Sequence, residues 1–257
     1  MMDPSEKRPF IQRLFSRIAP RYDWYNRLVS CGLDQRWRRC ALAQGGIGAT
    51  QRILDVCAGT GDLALACAAR QQGQGTVIGV DMTGPMLTIA QRKQRAAGVD
   101  VHWVQADAQA LPFAGGTFDR VVIGFSTRNL SDLSLGLREM VRVLRSGGRL
   151  IILETGYPSN PIVRFGYLLY LFTVARVIGW LLTGQLWPFT YLAKSVRGFL
   201  TPAQFIKRLQ DAGTSVEYVP LSGGLASLYV ATKSDPSGSQ SRRATMSRSV
   251  DVVGQHV

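Results

Sequence analysis

The sequence predicts one doubly wound α/β domain with a mostly parallel sheet, an N-terminal helical cap, and a helical insertion before the last strands. Three observations carry that prediction. Between Arg52 and Glu154, five short apolar runs alternate with helix-like segments, the pattern of a parallel sheet covered on both faces. The first run leads directly into a glycine-containing turn and an alanine-rich helix. Finally, 257 residues suffice for one large domain with its own core and are too few for two ordinary domains and a linker.

Taken in order, residues 1–45 read as the cap. Phe10, Ile11, Leu14, Phe15 and Ile18 recur at helical spacing, Ala19-Pro20 breaks the helix, and Tyr22, Trp24, Tyr25 and Leu28 resume it. The body, 46–233, holds strands at Ile53–Val56, Val77–Val80, Val101–Gln105, Arg120–Ile123 and Leu150–Leu153. Residues 161–187 are the most apolar part of the chain and define an insertion over 161–195. A membrane span needs about twenty predominantly apolar residues, whereas Arg164 and Arg176 bracket only eleven. A span would therefore hold Arg176 near the bilayer centre at a cost of about 2.5–3.5 kcal/mol. Two other readings stand beside it: helices packed on the core, and an apolar lid over an apolar substrate. Thr201 as N-cap, Pro202 in the first turn and Gly213 as stop then predict a helix, followed by strands near Ser215–Val219 and Leu225–Thr232. The Ser-, Arg- and Gly-rich segment 234–257 is expected to be disordered.

Composition narrows the function. With 46% hydrophobic and 18% charged residues the chain is globular, while a net charge of +13 favours nucleic acid, anionic membrane surfaces or anionic ligands. Nine basic residues fall within the first 39 positions, interleaved with aromatics and aliphatics as in a basic amphipathic helix. Cys31, Cys40, Cys57 and Cys67 match neither a zinc pattern nor a secreted disulfide framework, so reduced thiols and no metal are expected. The start MMDPSEKRPF lacks the apolar stretch of a secretory signal, which reads as cytosolic.

The chemistry-bearing motifs lie at successive strand ends. In ILDVCAGTGDLAL, Gly59 and Gly61 let the backbone turn sharply and approach a ligand, as in nucleotide-binding βα turns. Asp55 and Asp62 flank this turn and would repel a diphosphate. A neutral or cationic nucleoside is favoured, and S-adenosylmethionine, with its sulfonium and ammonium groups, fits. Asp81, about twenty residues on and followed by Met82, is placed to bind ribose hydroxyls. Asp107-Ala108 ends the third strand where an acid can hold an adenine amino group. Any one of these acids could instead cap a helix; the ordered set describes one crevice.

Nearly end to end, from Phe15 to Lys233, the chain resembles the ubiquinone/menaquinone biosynthesis C-methyltransferases. The resemblance is carried by FSRIAPRYDWYNRLVSCGLDQRWRR, LDVCAGTGDLA, ADAQALPFAGGTFDRVVIGFSTRNL, REMVRVLRSGGRLIILE and YLAKSVRGF. It implies a class I, Rossmann-like methyltransferase that methylates a ring carbon of a polyprenylated benzoquinol or naphthoquinol, with a lean towards the naphthoquinol. It also implies that Thr60, Asp81, Asp107 and Ala108 line the S-adenosylmethionine site. With Asp55, Gly59, Gly61, Met82 and Gly124 these make the candidate cofactor residues.

The departures from the family pattern are Asp34 for His, Tyr25 for Met, Arg145-Ser146 for Lys-Pro, Gly156 displacing a Ser, Gly124 for a contacting Ser, and Arg176 for Pro. None touches the glycine turn or Asp81; Arg176 alters the lid.

A hydroquinol ring carbon becomes nucleophilic as the adjacent hydroxyl loses its proton, so a cation favouring phenolate is needed, aligned with the sulfonium methyl. Arg128 is the candidate cation and Asn129 its hydrogen-bonding orienter, with Tyr22 and Asp23 closing the cap over the ring. Competing readings pair Arg128 with Asp132 at the surface and give Asp23 a capping role. Neither His102 nor His256 reads as the base.

A polyprenyl tail keeps the substrate in the bilayer, so the basic cap and the apolar 162–187 segment predict a cytoplasmic enzyme attached peripherally to membrane. No nucleic acid is expected, and a homo-oligomer is compatible with the sequence. Two rivals frame the expectation: a methyltransferase acting on RNA or another small molecule, and a binding protein that has lost catalysis.

Overall fold

The computed structural model describes residues 3–235. Most of the predicted tail therefore lies outside the described residues. The cap consists of α1 (Pro4–Ile18), a 3₁₀ turn at Ala19–Arg21, α2 (Tyr22–Val29) and α3 (Leu33–Gln44). Asp3 caps α1 by accepting from the Ser5 amide at 2.8 Å. Then follow β1 (Arg52–Val56), α4 (Asp62–Gln71), β2 (Thr76–Asp81), α5 (Gly84–Ala97), β3 (His102–Gln105), β4 (Phe118–Gly124), α6 (Leu133–Val143) and β5 (Leu144–Thr155). The insertion contributes α7 (Pro161–Phe172), α8 (Val174–Thr183) and α9 (Trp187–Arg197), before α10 (Pro202–Asp211), β6 (Thr214–Leu221) and β7 (Ala226–Lys233).

Seven strands form one sheet in the order β3-β2-β1-β4-β5-β7-β6. The first five run parallel, and β7 joins β5 antiparallel, with Ile152 opposite Tyr229. Alternation along β1 explains the two-sided core. Leu54 and Val56 join Phe118, Leu137, Met140 and Phe205 on one face. Ile53 joins Leu42, Leu63, Ala64 and Cys67 on the other. A third cluster, Leu14, Ile18, Tyr25, Met86, Phe189 and Leu192, seats the cap against α5 and α9. The order reverses between β1 and β4, so the carboxyl ends of these strands open a crevice at a topological switch point.

Two local expectations find their physical form here. Thr201 accepts from Gln204 N while the Gln204 side chain accepts from Thr201 N, a capping box opening α10 with Pro202 in its first turn. β5 starts six residues earlier than the apolar run at Leu150, because Leu144 already pairs with Phe118 across an irregularity in register. The four cysteines are free.

The insertion divides: α9 packs into the core through Phe189 and Leu192, whereas α7 and α8 do not. α7 buries no residue and α8 buries only Ala175 and Gly179, while Ile162 is 80%, Phe165 70% and Leu181 71% exposed. By length and composition, Pro161–Thr183 is sufficient to cross a membrane, with a mean hydropathy of 1.7. It is not straight, however: Thr173 (φ −116°, ψ −84°) separates α7 from α8. Arg176 Nη1 donates to the Phe172 carbonyl at 3.4 Å across that break.

Candidate active site

The glycine turn between β1 and α4 is held open from below. Gly59 and Gly61 take φ of +57° and +86°, a region that favours glycine. At Gly61 a Cβ would meet the Trp103 ring at 2.7 Å, so both conformation and space exclude a side chain. Asp81, at the end of β2, accepts from Gly59 N with one oxygen and from Thr83 N with the other, each at 2.8 Å. Asp55 accepts from Ala64 N at 2.8 Å in the first turn of α4. Burial pushes the Asp55 carboxyl up to about 8 and raises Asp81 as well, their amide hydrogen bonds working the other way.

These groups line a crevice of about 910 Å³, partly open to solvent, whose wall contains Asp55, Gly59, Thr60, Asp81, Met82, Asp107, Ala108, Gly124 and Asn129. Gly61 lies behind the turn. The helix α1 crosses the mouth: Arg8 pairs with Asp107 at 3.1 Å, Gln12 donates to the Met82 carbonyl at 3.1 Å, and Lys7 donates to the Arg128 and Leu130 carbonyls. The residues suit a cationic nucleoside, since Asp55 Oδ1 is buried without a hydrogen-bond partner and can accept from an ammonium group.

A second cavity, about 830 Å³, lies between α2, α3, α7 and α9. Its wall is aromatic and aliphatic, with Tyr22, Tyr25, Trp37, Phe125, Tyr167, Tyr170 and Leu192, and it also contains Arg128 and Asp34. Tyr22 and Arg38 belong to both cavities, so the two meet at these side chains. Burial raises the Tyr22 hydroxyl and pushes Tyr167 up to about 12. Both are neutral donors at physiological pH.

Arg128 is buried rather than on the surface. Its Nη1 pairs with Glu154 Oε1 at 2.5 Å and donates to the Phe125 carbonyl, and its Nε donates to Ser195 Oγ at 3.3 Å. Burial works against its charge, yet the Glu154 carboxylate holds its proton more firmly than usual. Asp132 takes no part, instead capping α6 through Leu135 N. Asn129, which lines the first cavity, accepts from the Tyr191 hydroxyl at 3.3 Å and leaves its buried Nδ2 unpartnered.

Asp23 is set apart from the other candidates: it lines neither cavity. Its carboxylate accepts from Thr60 Oγ1 at 2.5 Å and pairs with Lys93 at 2.8 Å, fastening α2 to the glycine turn and to α5. The capping alternative does not occur either, because Asp23 sits inside α2 and its oxygens are spent on these tertiary contacts.

Sequence reasoning missed Arg38, Tyr167 and Glu154. In the sequence Arg38 stands out only as one of the nine basic residues of the first 39 positions, although Asp34, Arg38, Ala41 and Leu42 share the buried face of α3. That i, i+4 stripe was the available sign. Glu154 was part of an apolar strand, and nothing local marks it as the partner of a residue 26 positions away.

The chain matches the model of the ubiE/COQ5 methyltransferase family over residues 1–233. It is 44% identical over 222 residues to a demethylmenaquinone methyltransferase of Thermus thermophilus, covering 86% of this chain and 100% of that relative. It is 38% identical to the ubiquinone/menaquinone biosynthesis C-methyltransferase UbiE of Geotalea uraniireducens, over 91% of this chain and 100% of that one. Among solved structures it is similar to a SAM-dependent methyltransferase from Aquifex aeolicus (TM-score 0.56, 17% identity, 90% of this chain and 99% of that one). It is also similar to the [4+2]-cyclase SpnF (TM-score 0.59, 17% identity, 78% and 80% covered). At such identity the shared fold carries no reaction with it.

Proposed function

Because this chain belongs to the ubiE/COQ5 methyltransferase family, we propose that it transfers the methyl group of S-adenosylmethionine to a ring carbon of a polyprenylated quinol, the demethylated precursor of menaquinol or ubiquinol. The observation that carries this reading is the meeting of two chemically different cavities at Tyr22 and Arg38. One is a glycine-turn crevice rich in carboxylates, suited to a cationic nucleoside. The other is aromatic, with a buried guanidinium, suited to a flat ring bearing oxygens. On this reading residues 1–45 form a cap and 46–233 the methyltransferase body, whose insertion at 161–195 covers the ring.

Bound S-adenosylmethionine supplies an electrophilic methyl on a sulfonium. Asp81 and Met82 serve its ribose, Asp107 and Ala108 its base, and Asp55, Thr60 and Gly124 its amino-acid end, around the turn of Gly59 and Gly61. Arg128, anchored through Nη1 and Nε, makes no hydrogen bond through Nη2 among the described residues. This edge faces developing phenolate and stabilises it, as a preorganised charge does in a water-poor site. Asn129 and Tyr22 orient the ring. Asp23 holds the cap shut through Thr60 and Lys93. Neither Tyr22 nor Tyr167 serves as base, since burial keeps both protonated; Arg128 lowers the barrier by stabilising the ring oxygen as its proton passes to water. After transfer the ring C–H proton is lost, the oxygen regains a proton and one net proton is released to solvent.

A polyprenyl chain needs an apolar exit. The exposed Ile162, Phe165 and Leu181 of α7 and α8, close in sequence to Arg164 and Arg176, suit peripheral attachment to an anionic bilayer. The test of the reaction offers methyl-labelled S-adenosylmethionine with reduced demethylmenaquinone, or with the demethylated ubiquinol precursor, in detergent micelles. Label entering one of the lipids is the expected result. Cofactor binding without transfer to either quinol contradicts it.

A further inference from the structure

The wall of the crevice contains a buried cation, Arg38. On the reading that the crevice holds S-adenosylmethionine, the ligand's amino-acid end is a zwitterion and must find a cation for its carboxylate. The wall is hostile to such a group: Asp55, Asp62, Asp81 and Asp107 all line it. Of the two arginines there, Arg8 is exposed and already paired with Asp107 at 3.1 Å. Arg38 is only 9% exposed and lies on the side of Asp62 and Gly124.

Arg38 also has an unspent donor. Its Nε is buried and makes no hydrogen bond. The neighbouring carboxylates are too far for one, at 3.7 Å for Asp62 and 3.9 Å for Asp34. Each has closer partners, Lys93 for Asp62, and Ser30 Oγ at 3.0 Å and Gln35 Nε2 at 3.2 Å for Asp34. The Phe125 ring, 5.5 Å from the guanidinium carbon, supports the group from behind. Gly124 borders the group, since a Cβ there would stand in ordinary contact with Arg38 Nη1 at 3.5 Å. A buried unpaired N–H of a charged group is costly, and nature retains such donors where a ligand completes them.

We propose that Arg38 binds the α-carboxylate of the cofactor, while the unpartnered Oδ1 of Asp55 accepts from its α-ammonium. One orphaned donor and one orphaned acceptor in the same wall then read the two ends of a zwitterion. Because Arg38 also borders the aromatic cavity, occupancy of the amino-acid subsite fixes the side chain that forms part of the wall against which the ring packs.

The test compares three probes by calorimetry on the full chain: S-adenosylmethionine, its decarboxylated analogue, and 5′-methylthioadenosine, which lacks the whole amino-acid end. The wild type is expected to prefer S-adenosylmethionine over the decarboxylated analogue by about 10-fold or more, as for a hydrogen bond between charged groups. In Arg38→Met that preference falls to within about twofold, while binding of 5′-methylthioadenosine is unchanged, which shows the fold intact. Arg38→Lys, keeping charge without the fork, is expected to lie between. Preference retained in Arg38→Met, or equal weakening of all three probes, overturns the proposal. A wild type that binds all three without preference overturns it alone; a wild type that binds none overturns the cofactor reading together with it.

Discussion

In the proposed reaction Arg128 is the residue on which the chemistry turns, and its neighbourhood makes a clear forecast. Its guanidinium is held by Glu154, Ser195 and the Phe125 carbonyl, so Arg128→Gln should remove the charge while leaving the nucleoside crevice in place. The expected outcome is a fall in kcat of about 100-fold or more with the cofactor Kd within about twofold, the range for deleting one preorganised stabiliser. Steady-state kinetics and calorimetry on the same preparation check it. Asp55 makes a forecast about stability. Burial lifts its carboxyl from 3.8 to about 8, so in that window the ligand-free folded state keeps a proton that the unfolded chain has released. Rising pH therefore costs stability across the window, by up to about 1.4 kcal/mol per pH unit. In Asp55→Asn this component is gone, and urea unfolding at pH 5 and pH 7 should show the variant gaining on the wild type; parallel pH curves contradict it. Strand-end acids such as Asp55, Asp81 and Asp107 were legible in the sequence because position along a βα unit dictates where they emerge. Arg38 and Glu154 were not, because their roles come from contacts between distant elements that no local pattern encodes.

At the scale of elements, the insertion shows why hydropathy alone left three readings open. The run 161–187 is equally apolar whether it packs, spans or covers; the outward Ile162, Phe165 and Leu181 set α7 and α8 apart from helices packed in a core. The glycine of α8 is a packing device. A side chain at Gly179 would enter the Phe189 ring, so Gly179→Ala should cost about 1–3 kcal/mol by overpacking the contact that seats α8 on α9. A lower Tm in calorimetry checks it. If α7 and α8 dock on a bilayer, Phe165→Glu combined with Leu181→Glu should release the protein from anionic vesicles in flotation. The same variant should keep its activity on a short-chain, water-soluble quinol. Flotation unaffected by the double substitution contradicts the docking. Helix starts were legible where a cap and proline coincide, as at Thr201-Pro202. The early start of β5 at Leu144 was not, since it depends on pairing with Phe118.

For the whole molecule, the alternation of apolar runs with helical segments sufficed for the parallel sheet, because a strand buried on both faces must be continuously apolar. The register and the reversal between β1 and β4 that create the crevice are properties of assembled strands and appear only in the structure. The same fold supports a methyltransferase and a cyclase among its structural neighbours, so the reaction rests on the site and the family together. The central claim is transfer of a methyl group to carbon, and it is tested most directly by turnover with carbon-13 methyl-labelled S-adenosylmethionine and reduced demethylmenaquinone, followed by nuclear magnetic resonance of the extracted lipid. A labelled methyl on the quinol ring carbon beside the hydroxyl is the result predicted. Label on a ring oxygen, or none in the lipid while the cofactor binds, contradicts it.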